Sequence, residues 1–251
     1  MKNKRVSRKK TAFLILLSVL AISVILVFSY NSTKLTGGAI SKNGLVAYWN
    51  FNNGATTDFS GMNNHATLKN GAQIISYDIN RGYVLSLDGA DDYVLVKDSA
   101  SLDLKTTFSL AAWIYSSDLA GIGTIFSKDG WNAETTGSYN LYKNGASLEY
   151  ETNNKGKLKT DEKLSRDMWH HVAVTYDAFS KPQMKMYING ELVYSGEVIA
   201  PSVTNRDLLI GRRGYTLGLD KGSHFNGMMD EMRIYNKVLS AGEIKEMAVA
   251  A

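Results

Sequence analysis

Glu149 and Glu151, two positions apart, are the nearest this chain comes to a pair of catalytic carboxylates. Retaining glycoside hydrolysis sets two carboxyl groups ~5 Å apart, and strand residues at i and i+2 share a face. Flanked only by Asn and Lys, the pair reads instead as a solvated strand face. His170 and His171 are adjacent, and successive strand residues point to opposite sides, so the two imidazoles cannot readily chelate one ion. Packing accounts for them. His65 and His224 lie in loop-like stretches with no ligand spacing around them. A Gly-x-Ser-x-Gly elbow, a cysteine nucleophile and the phosphate-binding glycine motifs are all missing from the sequence. None of these patterns therefore supports an enzyme. Sugar recognition asks for exposed aromatic faces with charged and amide groups around them. Trp131, in the polar run Lys128-Asp129-Gly130-Trp131-Asn132, leads that set, with Tyr139, Tyr142 and Tyr215 expected on the same side and Arg212 as a polar partner. Asp88, Asp91 and Asp92 bring hard oxygen donors together within five residues.

Strands must position these side chains. In Trp169–Tyr176, Val172, Val174 and Tyr176 fall on one face, with Trp169, His171, Ala173 and Thr175 on the other. Met184, Met186 and Ile188 likewise share a face, with Lys185, Tyr187 and Asn189 pointing away. Such period-two alternation marks strands whose two faces see different surroundings. Asn189-Gly190 supplies the positive φ angles of a two-residue hairpin turn. Phe108–Tyr115 is a further long strand, with Phe108, Leu110, Ala112 and Ile114 opposed to Ser109, Ala111, Trp113 and Tyr115. Further strands are expected over Leu45–Phe51, His65–Lys69, Ala72–Ser76, Tyr83–Leu87, Tyr93–Lys97, Thr124–Lys128, Tyr139–Lys143, Ser147–Thr152, Leu208–Gly211 and Phe225–Tyr235. Lys155–Arg166 is charged, a solvated loop or an edge strand. Ser240-Ala241-Gly242-Glu243 is a capping box that opens a short helix through about Ala248. Many short strands with Gly and Asn punctuation and one terminal helix make an all-β antiparallel sandwich of two sheets.

The wording of several segments adds a family. Trp-His-His-Val-Ala-Val-Thr-Tyr-Asp at 169–177 followed by Met-Tyr-Ile-Asn-Gly at 186–190 resembles the central segment of laminin-G-like jelly-roll domains, within the concanavalin A-like lectin/glucanase superfamily. Leu45–Phe51 is similar to the family's opening strand. Asp58, Ser60, Gly61 and Asn64 fit its Asp-x-Ser-Gly-x-x-Asn loop, and 230–235 fits its closing Asp-Glu-x-Arg-Ile-Tyr strand. The likeness runs from about Gly44 to Met247. It implies a jelly roll with Trp49, Trp113 and Trp169 packing the core. It also implies a structural calcium where the opening loop approaches the last strand, at positions matching Asp58, Ser60, Asn63 or Asn64, and Asp230. Relatives that hydrolyse glycans carry a Glu-x-Asp-x-x-Glu strand, and this chain has none. The resemblance thus implies noncatalytic recognition of carbohydrate or glycosylated surfaces. A protein–protein module without sugar affinity is the alternative reading, and a degenerate glycan hydrolase a third.

Ahead of this body (44–251) lie three segments. Residues 1–10 form a basic leader. Residues 11–30 are an apolar run about 30 Å long as a helix, the thickness of a hydrocarbon core. It is expected to be a transmembrane signal anchor, or a cleaved signal peptide. Residues 31–43 form a polar tether, in which Asn31-Ser32-Thr33 fits the glycosylation sequon. Six cations before residue 11 keep that end cytoplasmic and place the rest outside the membrane. Without cysteine, an exported domain has no disulfide to lean on. The net charge of +4 belongs to the leader and tether. Eight of the 28 basic residues and no acidic one precede residue 43, leaving 20 against 24 beyond it, a formal −4. A mildly acidic body gives no support to nucleic-acid binding, and the resemblance implies a glycan or cell-surface protein as partner.

Overall fold

The computed structural model describes residues 40–128, 138–152, 156–214 and 223–250. The expected transmembrane helix, Trp131 and Tyr215 lie outside these. Among the described residues, no helix is long and apolar enough to cross a membrane.

Two antiparallel sheets carry the fold. The eight-stranded sheet consists of β1 (Leu45–Trp49), β3 (Gln73–Asp78), β4 (Gly82–Asp88), β6 (Thr107–Ser116), β11 (Trp169–Asp177), β12 (Met184–Ile188), β13 (Glu191–Gly196) and β15 (Asn226–Tyr235). Its order is β13-β12-β11-β6-β15-β4-β3, with β1 also on β15. The seven-stranded sheet runs β10-β9-β8-β7-β14-β5-β2. Those strands are β2 (Ala66–Lys69), β5 (Tyr93–Val96), β7 (Ile122–Ser127), β8 (Asn140–Asn144), β9 (Ser147–Thr152), β10 (Gly156–Lys163) and β14 (Leu208–Ile210).

Alternation decides what each strand buries. In β11 the residues facing the other sheet are Val172, Val174 and Tyr176, set opposite Ala112, Leu110 and Phe108 of β6. Met184, Met186 and Ile188 of β12 continue that layer. Leu141, Leu148, Tyr150 and Leu158 meet it from the seven-stranded sheet. A fully buried side chain of this size stabilises by ~1.5–3 kcal/mol, so these layers supply the main driving force. The charged stretch after residue 155 is an edge strand, β10, which presents Lys157, Lys159 and Lys163 to discourage further pairing. At the β12–β13 hairpin, Asn189 (φ 52°) and Gly190 (φ 83°) take the left-handed conformation that the turn requires.

The ladder between β15 and β6 is broken once. β15 pairs with β4 through Asn226–Met229 and with β1 through Met232–Tyr235. Between them the register against β6 slips, and Glu231 takes φ 51°. Helix α1 (Ala241–Val249) closes the chain. Its Ser240 Oγ accepts from the Glu243 amide at 3.2 Å, while the Glu243 carboxylate accepts from the Ser240 amide at 2.8 Å. Ile244 and Met247 are its buried residues.

Candidate functional site

The outer face of the seven-stranded sheet is polar, and strand register builds it. With Leu148, Tyr150 and Leu158 turned inward, alternation turns Glu149, Glu151, Lys157 and Lys159 outward. Opposite one another across the ladders stand Tyr142 and Glu149, Asn140 and Glu151, Glu149 and Lys159, Glu151 and Lys157. Glu149 is fully buried although it points away from the core. Lys157 Nζ lies 2.7 Å from its Oε2, an ion pair off the hydrogen-bonding direction, and Lys159 Nζ is 3.9 Å from Oε1. The Asn144 amide donates to Oε1 at 3.2 Å. Glu151 accepts from the Tyr142 hydroxyl at 3.2 Å and pairs with Arg213 at 3.2 Å. Over the Tyr142 ring stand the Lys157 ammonium, 5.7 Å from the centroid, and the Arg213 guanidinium at 5.9 Å. Burial, then the charges of Glu151 and Glu149, push the Tyr142 hydroxyl far above its ordinary pKa, so it remains a donor. The lysines are the accessible members, Lys157 being 51 % and Lys159 56 % exposed at the side chain.

The outer face of the eight-stranded sheet carries a second cluster. Asp230, Trp113 and His171 lie side by side across β15, β6 and β11. Arg81, from the β3–β4 turn, comes over them. Its guanidinium stands 4.6 Å from the Trp113 ring centroid and 4.2 Å from that of Trp169, and Nη1 donates to Asp230 Oδ2 at 3.4 Å. Tyr77 meets Trp169 edge-on at 5.6 Å, and Tyr115 approaches the same indole at 5.7 Å. Trp113 and Trp169, expected in the core, are thus on the outside of the sandwich and are covered by an arginine. Trp49 alone of the three is in the core, with Nε1 donating to the Asn64 carbonyl. Desolvation raises the Asp230 carboxyl to about 7, with Glu231 adding to the rise and Arg81 opposing it. Burial, then Arg233, lowers the His171 imidazole to about 3. Neither ring nitrogen of His171 has a hydrogen-bond partner.

The residues expected to hold calcium do not fit the ion. Asp58 Oδ1 accepts from the Tyr48 and Ser60 amides, both at 2.9 Å. Its Oδ2 accepts from Ser60 Oγ at 2.7 Å and from the Asn64 amide at 2.9 Å. Four donors saturate this carboxylate, which acts as a loop cap. Ser60 Oγ, its one proton committed to Asp58, lies 3.0 Å from the Val46 carbonyl, and Asn63 is exposed with φ 59°. Asp230 is engaged by Arg81 and accepts from the Glu231 amide.

Of the expected sugar-binding residues, Tyr142 is on the polar outer face. Arg212 lies over the ring of Tyr93, 5.0 Å from its centroid. Tyr139 is not available to a ligand: it is fully buried between the sheets near Phe108, and its hydroxyl donates to the Leu102 carbonyl. Alternation explains this, since Tyr139 shares the inward parity of Leu141. The acid–base array itself, Glu149 and Glu151 against Lys157, Lys159 and Arg213, went unrecognised. The complementary charges on two successive alternating strands were the signal that would have revealed it.

A family model described as the Concanavalin A-like lectin/glucanases superfamily matches residues 88–245. The chain belongs to this superfamily. No functionally curated protein matches it significantly. Among solved structures it is similar to domain 4 of AbnA, a GH43 extracellular arabinanase from Geobacillus stearothermophilus, in complex with arabinotriose. The TM-score is 0.64 at 19% identity, covering 83% of this chain and 100% of that one. It is also similar to the binding domain of Paraclostridial Mosquitocidal Protein 1 (TM-score 0.65, 15% identity, 82% of this chain and 52% of that one). A third is the botulinum neurotoxin serotype D ligand binding domain in complex with N-acetylneuraminic acid (TM-score 0.63, 21% identity, 82% and 51%). The chain spans about half the length of both toxin domains. At these identities the likeness establishes the jelly-roll fold.

Proposed function

We propose that this protein is a noncatalytic carbohydrate-binding module whose ligand lies on the outer face of the seven-stranded sheet. The observation that carries the reading is the ordered array of Glu149, Glu151, Tyr142, Lys157 and Arg213 on that face. Lys157 and Lys159 offer exposed ammonium donors to sugar hydroxyls, and the partly exposed edges of Arg213 and Glu151 add a donor and an acceptor. The buried Glu149 and Tyr142 beneath them hold their orientation. Each carboxylate is met by its own cation, an arrangement for binding rather than for delivering a proton to a leaving group. The arabinotriose and N-acetylneuraminic acid bound by two structural neighbours support a glycan as partner. With the apolar run at 11–30 retained as an anchor, the module would act outside the membrane, in adhesion or envelope organisation.

A glycan array probed with the full-length chain, with and without calcium, tests this. Hits are expected, and Glu151→Gln and Lys157→Met should each weaken them about tenfold, ~1.4 kcal/mol. Silence under both conditions would point to a protein partner. Hits that both variants leave unchanged would move the site off this face.

A further inference from the structure

Three carboxylates meet where the chain passes between the two sheets. β2 of one sheet leads to β3 of the other through Asn70–Ala72, and β4 returns to β5 through Gly89–Asp92. One oxygen each from Asp88, Asp91 and Asp92 lies within 4.8 Å of the other two. Asp88 Oδ1 accepts from the Ala90 amide at 2.8 Å and the Asp91 amide at 3.4 Å. The Ala90 amide is the main reason its carboxyl sits below the ordinary range. Asp92 is only 3 % exposed. Its Oδ2 accepts from the Asp88 amide at 3.0 Å, and its Oδ1 is buried with no donor among the described residues.

That orphan oxygen is the informative atom. A buried carboxylate oxygen left without a donor or a cation is strongly unfavourable. Among the described residues, no lysine or arginine forms an ion pair with any of the three aspartates. The Arg212 guanidinium is placed over the ring of Tyr93, the next residue along. Space beside the orphan is kept by Gly71: a Cβ there would stand 2.7 Å from Asp92 Oδ1. Among the described residues the charge of the cluster thus has no counterpart, and the counterpart it calls for is positive.

We propose that Asp88, Asp91 and Asp92 bind one calcium ion, a site distinct from the opening loop of Asp58. Hard carboxylate oxygens suit Ca2+, whose opposite ligands at 2.3–2.6 Å stand ~4.6–5.2 Å apart, a span that includes this cluster. Asp88 and Asp91 are exposed, so water completes the shell. The ion ties the β4–β5 crossing together beside the β2–β3 crossing and thereby raises stability. This site is independent of the sugar-binding face, and its test does not depend on any glycan.

The full-length chain, stripped of metal with EDTA and then freed of the chelator, is titrated with CaCl2 by calorimetry. In parallel it is titrated with Tb3+, with luminescence excited through tyrosine, since Tyr93 adjoins Asp92. Saturable one-to-one binding is expected, with a rise of several degrees in the thermal midpoint in millimolar Ca2+ and a smaller rise in equal Mg2+. Asp91→Asn should weaken binding at least tenfold while leaving the circular dichroism unchanged, because that carboxylate makes no hydrogen bond within the fold. Absence of both heat and sensitised luminescence would overturn the proposal. So would binding that survives Asp91→Asn and Asp88→Asn but is lost in Asp58→Asn.

Discussion

Replacing Asp230 with asparagine will make folding stability climb with pH between about pH 4 and 6.5, while replacing His171 with phenylalanine will make it fall over the same range. In the unaltered protein the two trends oppose each other. Asp230 has a folded pKa of about 7 against an ordinary value of 3.8. Between those values the folded state keeps a proton that the unfolded chain has released, so stability drops as pH rises. His171 has a folded pKa of about 3 against 6.5. Over that interval the unfolded chain holds the extra proton, so stability increases as pH rises. At 1.36 kcal/mol per unit, the shifts amount to roughly 4 kcal/mol for Asp230 and roughly 5 kcal/mol for His171. The slopes cancel wherever the windows overlap.

The cancellation follows from placement. Asp230 and His171 flank Trp113 in one cross-strand row on the outer face of the eight-stranded sheet. Both are desolvated, and burial moves an acid up and a base down. The charges around them are Arg81 and Glu231 for the aspartate and Arg233 for the histidine, and Glu231 in turn pairs with Arg233 and accepts from the Tyr48 hydroxyl. Urea unfolding at pH 4.5 and 6.5, followed by tryptophan fluorescence, gives the slopes. Other titrating groups are common to all forms and drop out of the comparison. Parallel profiles for Asp230→Asn and the parent would mean that Arg81 keeps Asp230 ionised, and the idea would fail.

The same row shows what the sequence can and cannot say. Strand identity was legible because β11, β12 and β6 alternate in residue type, and each of their expected inward faces is the one that enters the hydrophobic core. Alternation sorts residues into two faces but does not tell what covers the face away from the core. Trp113 and Trp169 are large and apolar, so core packing was the natural expectation. Arg81, in a polar turn more than thirty residues earlier, reaches over both rings, and no local pattern announces so distant a contact. Tyr139 failed for the converse reason: as the first residue of an expected strand it shares the inward parity of Leu141, and it is fully buried. The calcium loop was recognisable from its motif, but its hydrogen bonds close on themselves. The acidic turn at 88–92 was legible as a cluster. Only the geometry shows that one of its oxygens is without a partner.

Lys128 illustrates the largest gap between pattern and structure, and its removal should destabilise the domain by about 3–5 kcal/mol, the cost of breaking a buried ion pair. In the sequence it is one more charged residue at the end of a strand. In the fold its side chain is fully buried. Nζ uses all three donors: Asp98 Oδ1 at 2.8 Å, Asp103 Oδ1 at 3.0 Å and the Thr204 carbonyl at 2.7 Å. It thereby joins the end of β7 to both flanks of the short turn at Ala100–Leu102 and to the approach to β14. Lys128→Ala leaves a cavity and an unpaired Thr204 carbonyl, with the two aspartates repelling each other. Lys128→Met fills the volume without the charge. Because Asp98 and Asp103 are 36 % and 22 % exposed at the side chain, water can take over part of their solvation, and the methionine variant should lose clearly less than the alanine one. Lys128→Arg should not rescue, since a planar guanidinium cannot point three donors along the directions an ammonium provides. Chemical denaturation of the three variants ranks them, and an alanine variant within 1 kcal/mol of the parent would show that the cluster contributes no net stability. Adding Asp98→Asn and Asp103→Asn to the methionine background should recover part of the loss, because the repulsion left behind disappears with the charges.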